Sequence, residues 1–502
     1  MKKAILLSSL MSVSALAMAQ KKLSSKPNIV IIYADDLGIN DLSCYGAKEI
    51  KTPNIDKLAQ NGVRFTNAYA AAATCTPSRF SLLTGVYPWK NKNARILEGD
   101  APMLIPQNDH NLPSQLQKAG YVTGVVGKWH LGLGNGKMDW NQKITPSPND
   151  IGFDYSFITA ATNDRVPTVF VENHSVVGLE KSDPLKVSYK TNFPGEPTGK
   201  DNPELLKLKP SQGHNQSIHN GIPRIGYQTG GKNARDQWVD EDMADLFVKK
   251  AENFISENKN KPFFLYYALH QPHVPRTPNQ RFVGSTNLGP RGDAVVEADW
   301  CVGQIMEQLK KENLLDNTLV IFSSDNGPVL DDGYFDGAEE TKNLHQPWGK
   351  YKGGKYSMYN AGANIPLIVY WKDQTPQKVS DALLSQIDLP ASLMDLVGMK
   401  NVTFADSQDY LKTFLGKSNK HRKYLLHEGM QGKIALRQGK WSYIPPYDGP
   451  KMVPWGVTIE TGNADKPQLY NLCQDPGETK NVAEKHANKI KKFDNLIKAS
   501  MQ

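Results

Sequence analysis

The chain has 502 residues, of which 22% are charged, and a formal net charge of +8. This length predicts one large and one smaller domain around a sizeable core. The positive excess is small and comes with no dense Lys/Arg run or RNA-type aromatic motif, which argues against nucleic-acid binding and favours a mild preference for anionic substrates.

The N-terminal stretch, residues 1–19, has the composition of a secretory signal peptide. It opens with two lysines, continues with a short apolar run and ends in Ala17-Met18-Ala19. The apolar run is too short to span a bilayer, and no other stretch approaches the required length. We therefore expect a secreted or periplasmic protein with no membrane span.

Short apolar runs rich in β-branched and aromatic residues predict strands that are buried on both faces. They alternate with amphipathic segments that predict helices, one opened by Thr52-Pro53 and a long one over residues 236–256. This alternation predicts an α/β fold with a large mixed, mostly parallel sheet sandwiched by helices. The predicted strands cover residues 28–33, 121–126, 263–268, 318–322 and 365–371.

Two regions differ from the rest of the chain in composition and in the length of their apolar segments. Residues 133–231 are rich in Asn, Pro and Gly, which predicts long loops with short strands and no separate domain. Beyond Met399 the segments become shorter and more polar, which predicts a smaller C-terminal α+β subdomain with a final helix over residues 483–497. We therefore expect a main domain over residues 24–400 and a subdomain over residues 401–502.

A lone cysteine, Cys75, precedes a segment that resembles the start of a helix. Pro77 suits a first helical position and Gly85 suits the helix end. The helix dipole would lower the pKa of a thiol placed there, and a small buried structural cysteine is the alternative. The other three cysteines lack metal-binding spacing and leave open one disulfide among them. They are Cys44, Cys301 and Cys473.

Polar side chains cluster directly after the predicted strands. Ligands of an open α/β sheet bind outside the carboxyl ends of its strands, so we expect these side chains to share one crevice. Their carboxylate and amide oxygens are the ligands that Ca²⁺ and Mg²⁺ prefer. Either acidic pair alone could be a helix cap or a turn, but two pairs at two strand ends favour a metal site. The residues are Asp35, Asp36, Lys128, His130, His273, Asp325 and Asn326.

Basic and protonatable side chains complete the predicted crevice. Lys128 and His130 flank Trp129 and, in an extended chain, project to the same side. Beside a metal, two such groups make a site for a tetrahedral oxyanion. His273 and Lys355 would add charge and a proton for a leaving group.

Seven motifs follow one another along the chain: NIVIIYADDLG, CTPSRFSLLTG, GKWHLG, KPFFLYYALHQPHVP, SSDNGP, GGK and LYNLCQDPGETKNVA. The Cys-x-Pro-Ser-Arg element followed by Leu-Thr-Gly is highly specific. This ordered set resembles the formylglycine-dependent sulfatases, a branch of the alkaline phosphatase superfamily. The similarity runs over nearly all of the mature chain.

The resemblance implies that a maturation enzyme oxidises Cys75 to formylglycine, whose hydrated aldehyde supplies the attacking oxygen. Arg79 would hold this hydrate. His273 would protonate the leaving group, and His130 would be the base that expels sulfate. The matching sulfate-binding residues are Lys128, His130, His273 and Lys355. The matching metal ligands, usually for Ca²⁺ and alternatively for Mg²⁺, are Asp35, Asp36, Asp325 and Asn326, joined by the oxygen at position 75.

The resemblance also implies a sulfated carbohydrate as substrate, because similar bacterial sulfatases strip sulfate from glycans. A galactose or N-acetylgalactosamine sulfate is the first expectation, on similarity of fold alone. The loops over residues 133–231 would bind the sugar, with Arg165 and His174 as first choices. Further candidates are Asn163, Asp164, Glu172 and Asn173 in these loops, and His427, Gln431 or Trp455 in the C-terminal part.

Two other functions fit the same residues. Phosphonate or phosphate monoester hydrolases share the formylglycine, and an enzyme for a dianion would show additional cations at the site. A secreted glycan-binding protein with a sulfatase-like body would keep Cys75 unmodified.

Overall fold

The structure is a computed structural model that describes residues 26–501 of the chain. The expected signal peptide, residues 1–19, lies outside the described residues, so the secreted or periplasmic location stays a prediction. No helix within residues 26–501 combines the length and the apolar character that crossing a bilayer requires.

Strands and helices alternate through most of the described chain. The strands are β1 (Asn28–Ala34), β2 (Val63–Phe65), β3 (Ala68–Tyr69), β4 (Val122–Lys128), β5 (Tyr155–Thr159), β6 (Phe170–Glu172), β7 (Ser175–Val176), β8 (Lys186–Ser188), β9 (Ile218–His219), β10 (Ile222–Pro223), β11 (Tyr227–Thr229), β12 (Phe263–Ala268), β13 (Thr318–Ser324), β14 (Leu367–Tyr370), β15 (Lys378–Ser380), β16 (Leu384–Ser385), β17 (Leu425–Glu428), β18 (Ile434–Gln438), β19 (Trp441–Ile444) and β20 (Gln468–Asn471). The α-helices are α1 (Pro53–Asn61), α2 (Cys75–Thr84), α3 (Leu112–Lys118), α4 (Lys232–Asp236), α5 (Met243–Glu257), α6 (Gly289–Lys311), α7 (Asn360–Ala363), α8 (Leu389–Leu396), α9 (Leu411–Phe414) and α10 (Ala487–Ser500).

Strand β1 lies near the middle of a ten-stranded mixed sheet. The strand order is β15-β2-β14-β13-β1-β12-β4-β5-β6-β7. The five strands from β13 to β5 run parallel, whereas β14 and β6 run antiparallel to their inner neighbours. The predicted large mixed, mostly parallel sheet sandwiched by helices is confirmed.

Alternate side chains of β1 pack against opposite helix layers, because a strand points successive side chains to opposite faces. Ile29 and Ile31 share a hydrophobic cluster with residues of α2, α3 and α8. Val30 and Ile32 share a second cluster with residues of α1, α5 and α6. Both faces of the sheet are therefore covered, which explains why β1 is a continuous apolar run in the sequence.

One predicted helix differs from the structure. The long helix expected from residue 236 begins at Met243, after the short helix α4 and a 3-10 turn, Asp240–Asp242. The Asp240 carboxylate accepts from the Trp238 indole and pairs with buried Arg224, which holds this turn outside the helix. Residues 133–231 contain the expected loops and short strands, and three of these strands, β5, β6 and β7, join the main sheet.

The C-terminal part forms a second, antiparallel sheet in the order β17-β18-β19-β20, with α10 packed against it. This agrees with the expected smaller α+β subdomain. Phe404 and Phe414 nevertheless pack in the cluster that contains Ile29. The Ala73 amide donates to the Glu428 carbonyl at 2.7 Å, so β17 supports the segment just before Cys75. The boundary at residue 401 stays a prediction.

Gly127 is required where β4 and β12 approach each other at the site. Its φ is +110°, and an added Cβ would lie 1.9 Å from the Ala268 carbonyl oxygen. We expect Gly127→Ala to destabilise the fold by about 3 kcal/mol or more, because backbone strain and a steric clash add together. The measurement is the midpoint of thermal unfolding.

Gly120→Ala is the matched control for this substitution. Gly120 also has positive φ, +84°, but an added Cβ would meet no atom within 4 Å. We expect a cost of about 1–2 kcal/mol from backbone strain alone. Equal losses in the two variants would contradict the claim that close packing requires Gly127.

Candidate active site

The carboxyl ends of neighbouring parallel strands bring the predicted polar residues into one crevice. Asp35 and Asp36 follow β1, and Asp325 and Asn326 follow the adjacent strand β13. The Asp35 amide donates to the Gln271 carbonyl at 2.9 Å, which joins the end of β1 to the segment after β12. The Asp36 amide donates to Asp325 Oδ1 at 3.2 Å. The two acidic pairs are therefore in direct contact.

Each carboxylate of this crevice lies against a buried cation. Burying an ionised carboxylate is costly unless an opposite charge and hydrogen bonds compensate it. The three cations come from α2, from β4 and from the glycine-rich loop before α7, so the pairs join distant parts of the chain. The pairs are Arg79–Asp325 (Nε to Oδ2, 3.0 Å), Lys128–Asp35 and Lys355–Asp36 (Nζ to Oδ2, 2.8 Å).

The pKa shifts of the carboxyl groups reflect how far each cation compensates burial. Burial raises the pKa of Asp35 well above its ordinary value in spite of Lys128. Burial raises the pKa of Asp36 as well. Burial also acts on Asp325, but Arg79 and Lys128 outweigh it, and the pKa of Asp325 is lowered. Two of the three carboxylates would therefore be stabilised by additional positive charge.

Unpartnered oxygens at the same place fit a divalent cation. Asp35 Oδ1 and Asn326 Oδ1 are buried and have no hydrogen-bond partner. Asn326 Nδ2 donates to Asp36 Oδ1 at 2.7 Å, which leaves the amide oxygen free. Ligand atoms of Asp35, Asp36 and His273 lie within 4.8 Å of one another. Because oxygen donors dominate this set, the residues fit a hard cation such as Ca²⁺ or Mg²⁺.

Helix α2 places Cys75 at the crevice. The helix begins at Cys75, is buried along its whole length and ends at Gly85 in left-handed conformation, with φ 62°. The sequence suggested that Pro77 is the first residue of this helix, but it is the third. The Thr76 hydroxyl donates to the His130 carbonyl at 2.9 Å, which ties the helix start to the segment after β4.

The pKa of the Cys75 thiol differs from the sequence-based expectation. Burial raises its pKa, and nearby Lys128 and Lys355 offset this only in part. The predicted lowering at the helix start is wrong, because desolvation exceeds the effect of the helix end and the two lysines. All four cysteines are free in the structure, so the disulfide left open among the other three does not form there.

His130 is arranged as a proton acceptor. Its Nε2 lies 2.9 Å from the Leu97 carbonyl oxygen, which can only accept, so Nε2 carries the hydrogen. Nδ1 is buried and has no partner. Burial and then Lys128 lower the pKa of His130 well below its ordinary value, which keeps the ring neutral. Its φ of +54° shows that the chain is not extended here, contrary to the geometry assumed for Lys128 and His130.

His273 has the opposite arrangement. Its Nδ1 donates to the Val274 carbonyl at 2.6 Å, and its Nε2 lies 3.7 Å from Asp36 Oδ2. Burial, followed by Lys355 and Lys128, lowers the pKa of His273 well below its ordinary value. With Nδ1 as the donor, the neutral ring can only accept at Nε2. His273 can therefore give a proton from Nε2 only as the imidazolium.

A cavity of about 600 Å³ opens above these groups. Cys75, His130, His273 and Lys355 line its base. Loop residues and part of the C-terminal subdomain form its walls, so the cavity is much larger than a sulfate group needs. The polar and aromatic residues of the walls include Thr162, Asp164, Arg165, Gln212, His214, Asp332, Tyr356 and Trp455.

Two of the expected sugar-binding residues, Asp164 and Arg165, line this cavity. The Asp164 carboxylate accepts from His214 Nε2 at 2.7 Å, and Arg165 Nη1 donates to the Leu97 carbonyl. Arg165 and His214 offset the effect of burial on Asp164, and the pKa of Asp164 is well below its ordinary value. Asn163 instead donates to the Pro275 carbonyl at 3.2 Å and supports the segment that follows His273.

The structure does not bring His174 to the cavity. β6 runs antiparallel to β5, so the turn after β6 lies at the opposite end of β5 from the crevice. His174 Nδ1 lies 2.9 Å from the Ile144 carbonyl oxygen there. Glu172 accepts from the Tyr155 hydroxyl at 2.7 Å, and Asn173 accepts from Asn149 Nδ2 at 3.1 Å. The choice of His174 for sugar binding is thus corrected: the direction of β6 places it outside.

Of the three C-terminal candidates, only Trp455 lines the cavity. Its ring packs edge-on against Tyr356 with centroids 5.1 Å apart, and 40% of the residue is exposed. His427 is fully buried and its Nε2 lies 3.0 Å from the Met358 carbonyl oxygen. Gln431 is exposed in the turn between β17 and β18.

Five wall residues were missed by the sequence analysis: Thr162, which directly precedes the candidate Asn163, and Gln212, His214, Asp332 and Tyr356. Tyr356 directly follows Lys355, and Asp331-Asp332-Gly333 repeats the acidic-pair pattern, so both had a weak signal. Gln212 and His214 had none, because their approach to the cavity depends on the path of a long loop.

The fold and this crevice define a hydrolase of the alkaline-phosphatase-like class, with cation-binding oxygens and cationic side chains for a tetrahedral oxyanion at the strand ends. The sequence pattern of the family described as Sulfatase matches residues 27–399. The chain belongs to the sulfatase family, and its activity is the hydrolysis of sulfate esters.

Individual relatives agree with this assignment. An N-acetylgalactosamine-6-O-sulfatase of Bacteroides thetaiotaomicron is 51% identical over 479 residues, which cover 95% of this chain and 93% of that protein. Human arylsulfatase A is 31% identical over 482 residues, which cover 91% of this chain and 83% of that protein. A solved structure concerned with the metabolism of multiple glycosaminoglycans by Bacteroides thetaiotaomicron has 51% identity and a TM-score of 0.93, with 95% of this chain and 100% of that chain covered.

Adding Ca²⁺ after treatment with a chelator should raise the midpoint of thermal unfolding. A bound cation would offset the repulsion between buried Asp35 and Asp36, and binding at about 100 times Kd contributes about 2.7 kcal/mol. Asn326→Ala should reduce this shift, whereas Asn61→Ala, at the exposed end of α1, should retain it. Mg²⁺ is measured in parallel. An unchanged midpoint with both ions would contradict a divalent-cation site.

Proposed function

We propose that the protein removes O-sulfate from a sugar of galactose or N-acetylgalactosamine type in a sulfated glycan. The observation that carries this proposal is that one cavity joins a cationic base to a wall of unpartnered polar atoms. The first fits a sulfate group and the second fits sugar hydroxyls. The 51% identical relative, described as an N-acetylgalactosamine-6-O-sulfatase, makes a 6-sulfate the first substrate to examine.

The nucleophile comes from Cys75, which a maturation enzyme converts to formylglycine. Hydrated formylglycine would supply a hydroxyl that can attack sulfur, and a divalent cation, when bound, would supply Lewis acidity. Arg79, buried between Asp35 and Asp325, is placed to hold the group at position 75. The cation is Ca²⁺, with Mg²⁺ as the alternative, and its ligands are Asp35, Asp36, Asp325 and Asn326.

The remaining polar residues of the base bind the sulfate and move protons. The ammonium groups of Lys128 and Lys355 bind sulfate oxygens and stabilise negative charge that develops on them. His273 protonates the sugar oxygen that departs. It does so as the imidazolium, which the negative charge of the bound sulfate ester favours against the effect of burial and the two lysines. For sulfate release, the second hydroxyl of the hydrated group at position 75 would lose its proton to the free Nδ1 of His130, the aldehyde would re-form and the carbon–oxygen bond to sulfate would break. Nδ1 is the acceptor because the Nε2 hydrogen is engaged by the Leu97 carbonyl.

The sugar lies against the wall formed by the loop residues. Thr162 Oγ1, Asp164 Oδ1, Arg165 Nε and both amide atoms of Gln212 are buried without a hydrogen-bond partner. Leaving such a group unpaired costs about 1–3 kcal/mol, so hydroxyls that pair with several of them would bind favourably. The exposed face of Trp455 is suited to pack on the apolar face of a sugar ring.

The protein is secreted or periplasmic. This part of the proposal depends on residues 1–19, whose basic start, short apolar run and small-residue ending are typical of a cleaved signal peptide. A location outside the cytoplasm suits an enzyme that acts on large glycans.

Two alternatives remain distinguishable by experiment. A phosphonate or phosphate monoester hydrolase would cleave an aryl phosphate or phosphonate faster than an aryl sulfate. A non-catalytic glycan-binding protein would contain an unmodified cysteine at position 75 after maturation.

Mass spectrometry of the Cys75 peptide tests the nucleophile directly. We expect the mass of formylglycine in active protein from the native source. Cys75→Ala should abolish turnover, by at least about 10³-fold, with an unchanged unfolding midpoint, because its thiol makes no structural bond. Cys473→Ala, at an exposed site, is the control and should retain full activity. Unaltered cysteine in fully active protein would refute the proposal.

A second experiment tests the sugar wall. Gln212→Ala should raise KM for N-acetylgalactosamine 6-sulfate by about two- to tenfold, the value of one or two neutral hydrogen bonds, and leave 4-nitrophenyl sulfate unaffected. Arg165→Ala should have a larger effect, about ten- to hundredfold, because its donor is charged. His174→Ala, at the far end of β5, should change neither. Equal effects on both substrates would contradict a sugar-binding role.

A further inference from the structure

Asp332 is a carboxylate that the chemistry above does not use. It lies in the loop after β13 and lines the cavity together with Cys75 and Lys355. Its side chain is only 9% exposed. A carboxylate facing a cavity that must accept an anion is unfavourable unless it has a particular role.

Hydrogen bonds on both sides hold Asp332 in this position. Its Oδ2 lies 2.8 Å from Lys355 Nζ, and the Tyr356 hydroxyl donates to Oδ1 at 2.9 Å and lies 3.1 Å from Oδ2. Two residues further on, the Tyr334 hydroxyl donates to the Pro223 carbonyl at 2.7 Å, which anchors the loop. The carboxylate is therefore fixed beside Lys355 and cannot swing away when an anion enters.

Asp332 is also in excess of the side-chain charges that balance one another in the crevice, with the divalent cation left out of this count. Within the described residues, three cationic side chains of the crevice match its three carboxylates: Arg79 pairs with Asp325 and also lies 3.7 Å from Asp35, Lys128 pairs with Asp35, and Lys355 pairs with Asp36. Asp332 adds a second carboxylate to Lys355, at the same 2.8 Å distance as Asp36. On the cavity wall, Arg165 lies beside Asp164, 3.8 Å away.

The surplus carboxylate has different consequences for the two kinds of ester. A sulfate monoester carries one negative charge. A phosphate monoester carries two above its second pKa, which is about 6. The additional charge would meet Asp332 within a partly buried cavity, where charges interact much more strongly than in water.

We propose that Asp332 is a specificity-determining residue that makes this site prefer singly charged sulfate esters to doubly charged phosphate esters. The inference rests on the proposed sulfatase chemistry and adds to it the means of excluding phosphate. An enzyme that takes the dianion would need additional cations at this place, and this chain has an additional anion instead.

The experiment compares kcat/KM for three 4-nitrophenyl esters at pH 8, with mature protein and Ca²⁺. The esters are the sulfate, the phosphate and the methylphosphonate. The methylphosphonate has phosphorus chemistry but a single negative charge, so it separates charge from the identity of the central atom. Using one leaving group in all three removes any contribution from the sugar wall.

Asp332→Asn should raise the phosphate-to-sulfate ratio by about tenfold or more, because one unit of repulsive charge is removed a few ångströms from the ligand. The methylphosphonate-to-sulfate ratio should stay within about twofold. An unchanged phosphate-to-sulfate ratio, or an equal rise for phosphate and methylphosphonate, would overturn the proposal.

Two variants separate charge from the positioning of Lys355. Asp332→Glu retains the charge and should retain the wild-type ratios, although absolute rates fall. Tyr356→Phe removes a hydrogen bond from Asp332 without changing any charge, and should also leave the phosphate-to-sulfate ratio unchanged. If Tyr356→Phe shifts this ratio as much as Asp332→Asn, Asp332 acts only by positioning and the proposal fails.

A further test uses wild-type protein only and therefore does not depend on whether a substituted protein folds. As pH falls through about 6, the phosphate ester takes up a proton and becomes singly charged. Its kcat/KM relative to the sulfate ester should therefore rise, and a flat or falling ratio would contradict the proposal.

Thermal shifts caused by each ester bound to Cys75→Ala protein, with and without Asp332→Asn, measure the same preference without turnover. This binding measurement tests the role of Asp332 even if the proposed sulfatase chemistry is wrong, because it does not depend on turnover.

Discussion

The compensation of buried carboxylates by buried cations is the constraint on which the rest of this structure depends. Three acidic side chains lie at the ends of adjacent strands, where water cannot solvate them. Each is stable there only because a cation from another part of the chain is brought against it. Arg79 comes from α2, Lys128 from β4 and Lys355 from a loop more than 200 residues further on.

This compensation also explains the position of Cys75. Arg79 is one turn along α2 from Cys75, so pairing Arg79 with Asp325 fixes the helix start at the crevice. The Tyr33 ring lies beneath the guanidinium, 5.3 Å from it, and the Tyr266 hydroxyl accepts from Nη1 at 3.3 Å. Both tyrosines belong to strands of the main sheet. The contacts of Arg79 with the main sheet therefore fix the position of α2. The position of α2 in turn places residue 75 at the cavity.

Two parts of the molecule form the cavity. Strand ends form its base, where the geometry is rigid and where we propose that the tetrahedral sulfate group binds. Loops and one tryptophan of the C-terminal part form the walls, where polar atoms such as Asp164 Oδ1 are left for a ligand. A rigid base with adaptable walls lets a single chemistry serve different sulfated molecules.

The sequence by itself determined the strands of the central sheet, the acidic pairs after β1 and β13, and the family. Long apolar runs and strand-end motifs are local signals, and parallel pairing brings such ends together regardless of the loops between them. The sequence could not place His174, because the direction of a three-residue strand, β6, decides at which end of the sheet it lies. Nor could it foresee the raised pKa of Cys75, since desolvation depends on everything that packs around α2. Asp332 and His214 joined the site only through the path of long loops, which tertiary packing alone decides.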